Sequence, residues 1–158
     1  KIYPNGIRKG FNTDVYGFDQ SIAPFLKETH KTALILGTGG ASKAVAYAFK
    51  KRGITYKFVS RVPKDERQIS YESLDQKVIS SIGVIVNCSP IGTHPNVDAC
   101  PNIPYQFLNK NHLLFDLIYN PEETAFLRKG KSQGSVIANG MKMLELQAEK
   151  SWDIWNKE

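Results

Sequence analysis

A doubly wound α/β domain, with a mostly parallel sheet covered by helices on both faces, is the fold class the sequence predicts. Three observations carry it. Short apolar runs alternate with amphipathic helical segments from Thr32 onward, a glycine-rich turn joins the first run to the first helix, and 158 residues leave room for one ordinary core. Strands that alternate with helices through short loops require right-handed crossovers, and these make a parallel sheet.

The stretch GFNTDVYGF, residues 10 to 18, has no helical or strand periodicity. QSIAPFLKET, residues 20 to 29, is spaced for a short connecting helix with Pro24 in its first turn. TALILG then reads as a buried strand, and ASKAVAYAFKKRG as an Ala-rich amphipathic helix closed by Gly53. YKFVSR alternates like a strand, residues 71 to 82 form a weaker helix, and GVIVNCSP is an apolar strand ending in a proline turn. A loop with Pro90, Pro95, Pro101 and Pro104 follows. The order closes with strand LLFDLIY, helix ETAFLRKG, strand SVIAN and a last helix from about Gly140 to Trp155. The one expected seam lies near residue 20: residues 1–20 enter the domain and 21–158 build it. The first residue is Lys1, without an initiator methionine or leader pattern, so a piece of a longer polypeptide is expected.

Composition excludes several classes. Apolar residues make up 41% and charged residues 23%, a globular balance rather than a disordered one. The longest apolar run, LLFDLIY, is interrupted by Asp116 and falls far short of the roughly 18 residues a membrane span needs, so no membrane partner is expected. Net charge is +6, but the cations are scattered and not interleaved with aromatics, which argues against a nucleic-acid surface. The group from Arg61 to Arg67 suits an anionic small molecule. Cys88 and Cys100 read as reduced thiols of a cytoplasmic protein, and His30, His94 and His112 have no metal-ligand spacing, so no metal is expected. The oligomeric state is not legible.

LILGTGGASKAV, residues 34 to 45, places Gly37, Gly39 and Gly40 where a strand turns into a helix. The first glycine permits the tight turn, the next lets a pyrophosphate approach the backbone, and the helix N-terminus meets the anion's charge. Ser42 stands where the strict fingerprint has its third glycine. Where an NAD site places an acidic residue at the tip of the second strand, this chain has Ser60 and Arg61, with Lys64 and Arg67 behind. A guanidinium there can pair with a 2′-phosphate, which selects NADP over NAD.

Together GFNTDVYGF, LGTGGASKAV, VSR, VNCSPIGTHP, DLIYNP with Thr124, and NGMKMLELQAEKSWDIW resemble, in order and from Gly10 onward, the shikimate dehydrogenases and their quinate/shikimate relatives. The resemblance implies NADP-dependent interconversion of 3-dehydroshikimate and shikimate, on the path to chorismate and aromatic amino acids, by an N-terminal substrate domain and a C-terminal Rossmann domain. It makes this chain the second domain, without the first. It further implies that Asp14 is the carboxylate of a catalytic Lys-Asp pair, that Gln147 and Tyr119 bind substrate, and that Gly37, Gly39, Gly40, Ala41, Ser60, Arg61, Leu117 and Gly140 hold the cofactor, with Lys64 added from the loop chemistry.

By local chemistry alone, Asn12-Thr13-Asp14 is equally good turn and capping sequence. Gln147 would border a face burying Trp152 or Trp155, and Tyr119 would end a strand. No segment resembles the surroundings of the family's catalytic lysine, and Val62 stands where some members carry Thr. The chain is therefore expected to bind NADP and to be inactive alone. An NAD-preferring quinate/shikimate dehydrogenase and a non-catalytic dinucleotide-binding regulatory module remain the alternatives.

Overall fold

The computed structural model describes residues 1–156. Six strands, β1 (Thr32–Leu36), β2 (Thr55–Ser60), β3 (Gln68–Ser70), β4 (Val84–Asn87), β5 (Leu113–Asp116) and β6 (Val136–Ala138), form one sheet in the order β3-β2-β1-β4-β5-β6. Every pairing in it is parallel. The fold class read from the sequence is the one observed.

Strands with apolar residues at nearly every position are what a sheet covered on both faces requires. Helices α1 (Asp14–Ile22), α2 (Gly40–Lys51) and α5 (Met141–Asn156) cover one face, where Ala33, Ile35, Val84, Val86, Leu113 and Phe115 meet Phe18, Val45, Phe49 and Met143. Phe18 packs edge-on against Phe49 at 5.5 Å and Phe115 at 5.2 Å between ring centroids. On the opposite face α3 (Gln76–Ser80) and α4 (Ala125–Ser132) close a second core of Leu34, Leu36, Ile79, Ile85, Leu114, Phe126 and Leu127.

The structure corrects several element bounds. The helix expected at residues 20 to 29 is α1, which starts at Asp14 and passes into a single 3-10 turn at Ala23–Phe25. Asn12 turns its side-chain oxygen onto Asp14 N at 2.9 Å and so starts the helix inside the stretch that looked aperiodic. α1 buries Phe18 and Ile22 completely against the sheet. Asp19, bound by Arg52 Nε at 2.6 Å, ties α1 to the end of α2.

The helix expected over 71 to 82 is only a 3-10 turn at Tyr71–Ser73 followed by α3, since Asp75 stops the chain and caps Val78 N at 2.7 Å. β3 is a strand over QIS, residues to which the sequence pattern assigns no element. Strand β5 ends at Asp116 rather than Tyr119, because the Asp116 carboxylate accepts from Ile118 N at 3.1 Å and bends the chain out of the ladder. Trp152 and Trp155, expected on a buried face, are 66% and 67% exposed, since α5 packs on α1 through the turn bearing Met143 and Gln147.

Candidate functional site

The strand order reverses direction between β1 and β4, and in open α/β sheets ligands bind beyond the carboxyl ends of the strands at that point. Here the chain leaves β1 through Gly37, whose φ of +110° admits glycine readily and other residues only under strain. A Cβ on Gly37 would come within 3.4 Å of the Cys88 carbonyl oxygen at the end of β4. The turn is thus drawn in against its neighbour strand, and Gly37 N donates to Val59 O at 2.9 Å.

Gly39 and Gly40 behave differently. Gly39 has φ −74° and ψ −172°, open to any residue, and a Cβ on Gly39 or Gly40 would meet nothing within 4 Å. The fold itself does not require glycine at either place. The bare backbone of Gly39 borders a cleft of about 620 Å³ walled also by Gly37, Thr38, Ser60, Arg61 and Tyr71, with Cys88 to Ile91 opposite. No side chain caps the N-terminus of α2, so its first amides and dipole are available to a phosphate. Gly39 and Gly40 leave the space a pyrophosphate needs, and the residues present fit a dinucleotide.

Behind this cleft lies a buried polar network that sequence reasoning missed. Asp116 accepts from Asn87 Nδ2 at 3.0 Å, Ile118 N at 3.1 Å and Thr124 Oγ1 at 2.7 Å. Burial pushes its carboxyl up to about 6, against the lowering effect of those three bonds. Asn87 Oδ1 in turn accepts from Ser89 N and Oγ, and its amide reaches Ile91 O at 3.4 Å, so Asp116 sets the shape of the 88–91 wall. The polar residues ending the apolar strands VIVN and LLFD were the available signal.

Leu117 and Gly140 meet at the far side of this network. A Cβ on Gly140 would overlap the Leu117 carbonyl oxygen and lie 2.6 Å from its carbonyl carbon. Gly140 N donates to Ile118 O at 3.1 Å, while Leu117 N donates to Asn87 O at 3.1 Å. Ala41 sits half-buried in the first turn of α2. Tyr119 is 44% exposed, in the loop past β5. Lys64 is exposed and lines neither this cleft nor the neighbouring one beside α2.

The sequence-predicted Asp14 and Gln147 come together from opposite ends of the chain, with Gln147 Nε2 donating to Asp14 Oδ1 at 2.7 Å. Gly17 makes this possible: a Cβ there would fall 2.7 Å from Gln147 Cγ and from Met143 O, so α1 and α5 touch backbone to backbone. Thr13 Oγ1 lies 3.3 Å from Ser151 Oγ on the same seam. Both Asp14 and Gln147 remain partly open to solvent. Among the described residues no group of three or more His, Cys, Asp or Glu gathers as metal ligands, and no helix is long and apolar enough to cross a membrane.

A glycine turn at the switch point of a six-stranded parallel sheet, opening on an uncapped helix, defines a Rossmann domain of the nucleotide-binding type. The particular similarity is to the shikimate dehydrogenases. The NADP-dependent shikimate dehydrogenase of Desulforamulus reducens is 32% identical over 96% of this chain. Shikimate dehydrogenase 1 of Peptoclostridium difficile is 40% identical, superimposes with a TM-score of 0.78, and covers 92% of this chain. A shikimate dehydrogenase solved in complex with NADP+ is 26% identical, with a TM-score of 0.82 over 99% of this chain. The chain spans 58% of the first relative, and 55% and 59% of the two solved chains. No family model matches it.

Proposed function

We propose that this chain is the NADP-binding part of a shikimate dehydrogenase, which reversibly reduces 3-dehydroshikimate to shikimate. The observation that carries the reading is the 2.7 Å bond between Asp14 and Gln147. Two polar residues that the resemblance assigns to one reaction, far apart in sequence, are joined at one partly exposed seam.

Bound NADPH supplies the hydride that reaches the substrate carbonyl carbon. Gly39 and Gly40 would admit the pyrophosphate, the first amides of α2 would meet its charge, and Arg61 would pair with the 2′-phosphate. Leu117 and Gly140, whose backbones meet, would help hold the cofactor. Asp14 orients a lysine ammonium contributed from outside this chain, which exchanges a proton with the substrate oxygen. Gln147 spends one N–H on Asp14 and keeps the other N–H and its carbonyl for substrate hydroxyls. Tyr119 adds a phenol from the loop past β5. Both cysteines are free, which suits a reducing cytoplasm.

The test joins this chain to the part of the Peptoclostridium difficile relative that it does not span, and follows nicotinamide absorbance with shikimate and NADP+. The fused protein should turn over, the chain alone should not, and Asp14→Asn should lower kcat by about 100-fold or more. A fused protein that binds both ligands without turnover, or an unimpaired Asp14→Asn, contradicts the reading.

A further inference from the structure

Asp116 is a buried carboxylate held without a cation. Its oxygens accept three hydrogen bonds, from Asn87 Nδ2 and Ile118 N on Oδ1 and from Thr124 Oγ1 on Oδ2, and every donor is neutral. Thr124 Oγ1 itself accepts from Leu127 N at 3.3 Å, which leaves its proton for Asp116 and fits the ionised form. The partial positive charge at the start of α4 reaches the group through Thr124. Among the described residues, however, no lysine, arginine or histidine pairs with it. A charge in the interior is ordinarily neutralised by a partner or by a proton.

The titratable groups that face Asp116 are the Cys88 thiol, just past β4, and the Tyr105 phenol, from the turn before β5. Burial pushes both up, so both are neutral throughout the range in which Asp116 titrates. Near neutral pH the fold therefore keeps one full negative charge, with no compensating cation, at the carboxyl end of β5.

The topology relates that charge to the cofactor. A dinucleotide on the N-terminus of α2 straddles the crevice between β1 and β4: its adenosine half crosses the tip of β2, and its nicotinamide half lies beyond β4 and β5. Asp116 is the last residue of β5, in register with Asn87 at the end of β4. It also holds the edges of that half-site: the 88–91 wall through Asn87, and the loop carrying Leu117 against Gly140 through Ile118 N. Oxidised and reduced cofactor carry the same phosphates and differ in charge only at the nicotinamide, a cation when oxidised and neutral when reduced.

We propose that Asp116 is a charge set behind the nicotinamide half-site that makes the chain hold the oxidised, cationic cofactor more tightly than the reduced one. This inference rests on the NADP reading above and deepens it, from which cofactor binds to which redox form is favoured. Asp116 is a positioning residue in this role, acting through its field and through Asn87. Two unit charges about 12 Å apart at an effective dielectric of about 20 change an equilibrium about tenfold. By linkage, the oxidised nicotinamide lowers the proton affinity of the carboxylate by the same factor. The sign follows: the preference is full while Asp116 is ionised and fades as pH falls and the carboxyl takes up its proton.

Titrations of the full chain with NADP+, NADPH and adenosine 2′,5′-bisphosphate test this in the wild type and in Asp116→Asn. The quantity read is the ratio of the NADPH to the NADP+ dissociation constant, in which the charges and titrations of the phosphates cancel. Asp116→Asn should lower the ratio about tenfold at about pH 8. Adenosine 2′,5′-bisphosphate, which lacks the nicotinamide, should change less than about twofold. In the wild type the ratio should fall about fivefold between about pH 8 and about pH 5, and in the variant it should stay flat. The wild-type profile needs no substitution, so it decides alone if Asp116→Asn does not fold. A ratio unchanged by the substitution, a wild-type ratio flat with pH, or equal losses for all three ligands, as a merely structural role would give, overturns the inference and leaves the NADP reading intact. A wild-type chain that binds neither NADP+ nor NADPH overturns both.

Discussion

Replacing Asp116 by Asn removes the titration of a fully buried carboxyl while keeping its shape. In the folded chain burial raises this group from 3.8 to about 6, and each unit is about 1.36 kcal/mol, so the ionised form costs the fold about 3 kcal/mol. The sign follows from proton uptake. The native state binds the proton more tightly than the unfolded chain, so stability falls as pH rises from the unfolded value toward the folded one, and the loss is complete above it.

Between about pH 4.5 and about pH 7.5 the wild type should therefore lose about 2 kcal/mol relative to Asp116→Asn. Taking the difference between the two proteins cancels the other titrating groups, among them His30, which burial holds below its ordinary value. Asn can still accept from Asn87 and Ile118 and can donate to Thr124, so the network persists. Urea unfolding of both proteins at half-unit pH steps supplies the curve. A difference that is flat with pH, or in which the wild type gains on the variant as pH rises, would refute the buried-carboxylate account.

Three further outcomes are expected. Gly17→Ala ordinarily favours a helix by about 1 kcal/mol, but here the methyl collides with Met143 O and Gln147 Cγ. The net effect should be a loss of about 1 to 3 kcal/mol, read as a fall in Tm. Gly140→Ala forces a methyl onto the Leu117 carbonyl and should lower Tm by several degrees and weaken dinucleotide binding together; a variant with wild-type Tm would show that the two loops can part freely. Arg61→Ala should weaken NADP+ about tenfold more than NAD+, and equal losses in a binding titration would remove Arg61 from phosphate recognition.

The parts of the fold with regular periodicity were legible in the sequence. TALIL, GASKAVAYAFKK and VIVN announce a strand, a helix and a strand because period and burial agree over their whole length. Where one polar side chain decides the local path, periodicity gives no warning. Asn12 starts α1 early, Asp75 breaks a helix into two short turns, and Asp116 ends β5 three residues before the apolar run stops. β3 escaped notice because QIS pairs with β2 without a crossover helix to mark the interval.

The glycine turn was readable as a phosphate site because strand, turn and helix follow one another directly in the chain. Asp14 and Gln147 were readable only through resemblance, since nothing local tells that residues 133 positions apart touch. The apolar look of α5 misled in the case of Trp152 and Trp155: with Gly17 fixing the contact at Met143 and Gln147, both rings are carried outward.

The open glycine backbone beside α2 is proposed as a dinucleotide seat. Its most direct test is a calorimetric titration of NADP+ into the wild-type chain and into Gly39→Val. Since a Cβ at Gly39 meets no protein atom, the variant should fold and melt much like the wild type while its side chain fills the pyrophosphate space. Saturable binding to the wild type is expected, and Gly39→Val should weaken it about 100-fold or more. A wild-type chain that does not bind NADP+, or a Gly39→Val chain that binds it equally well, contradicts the claim.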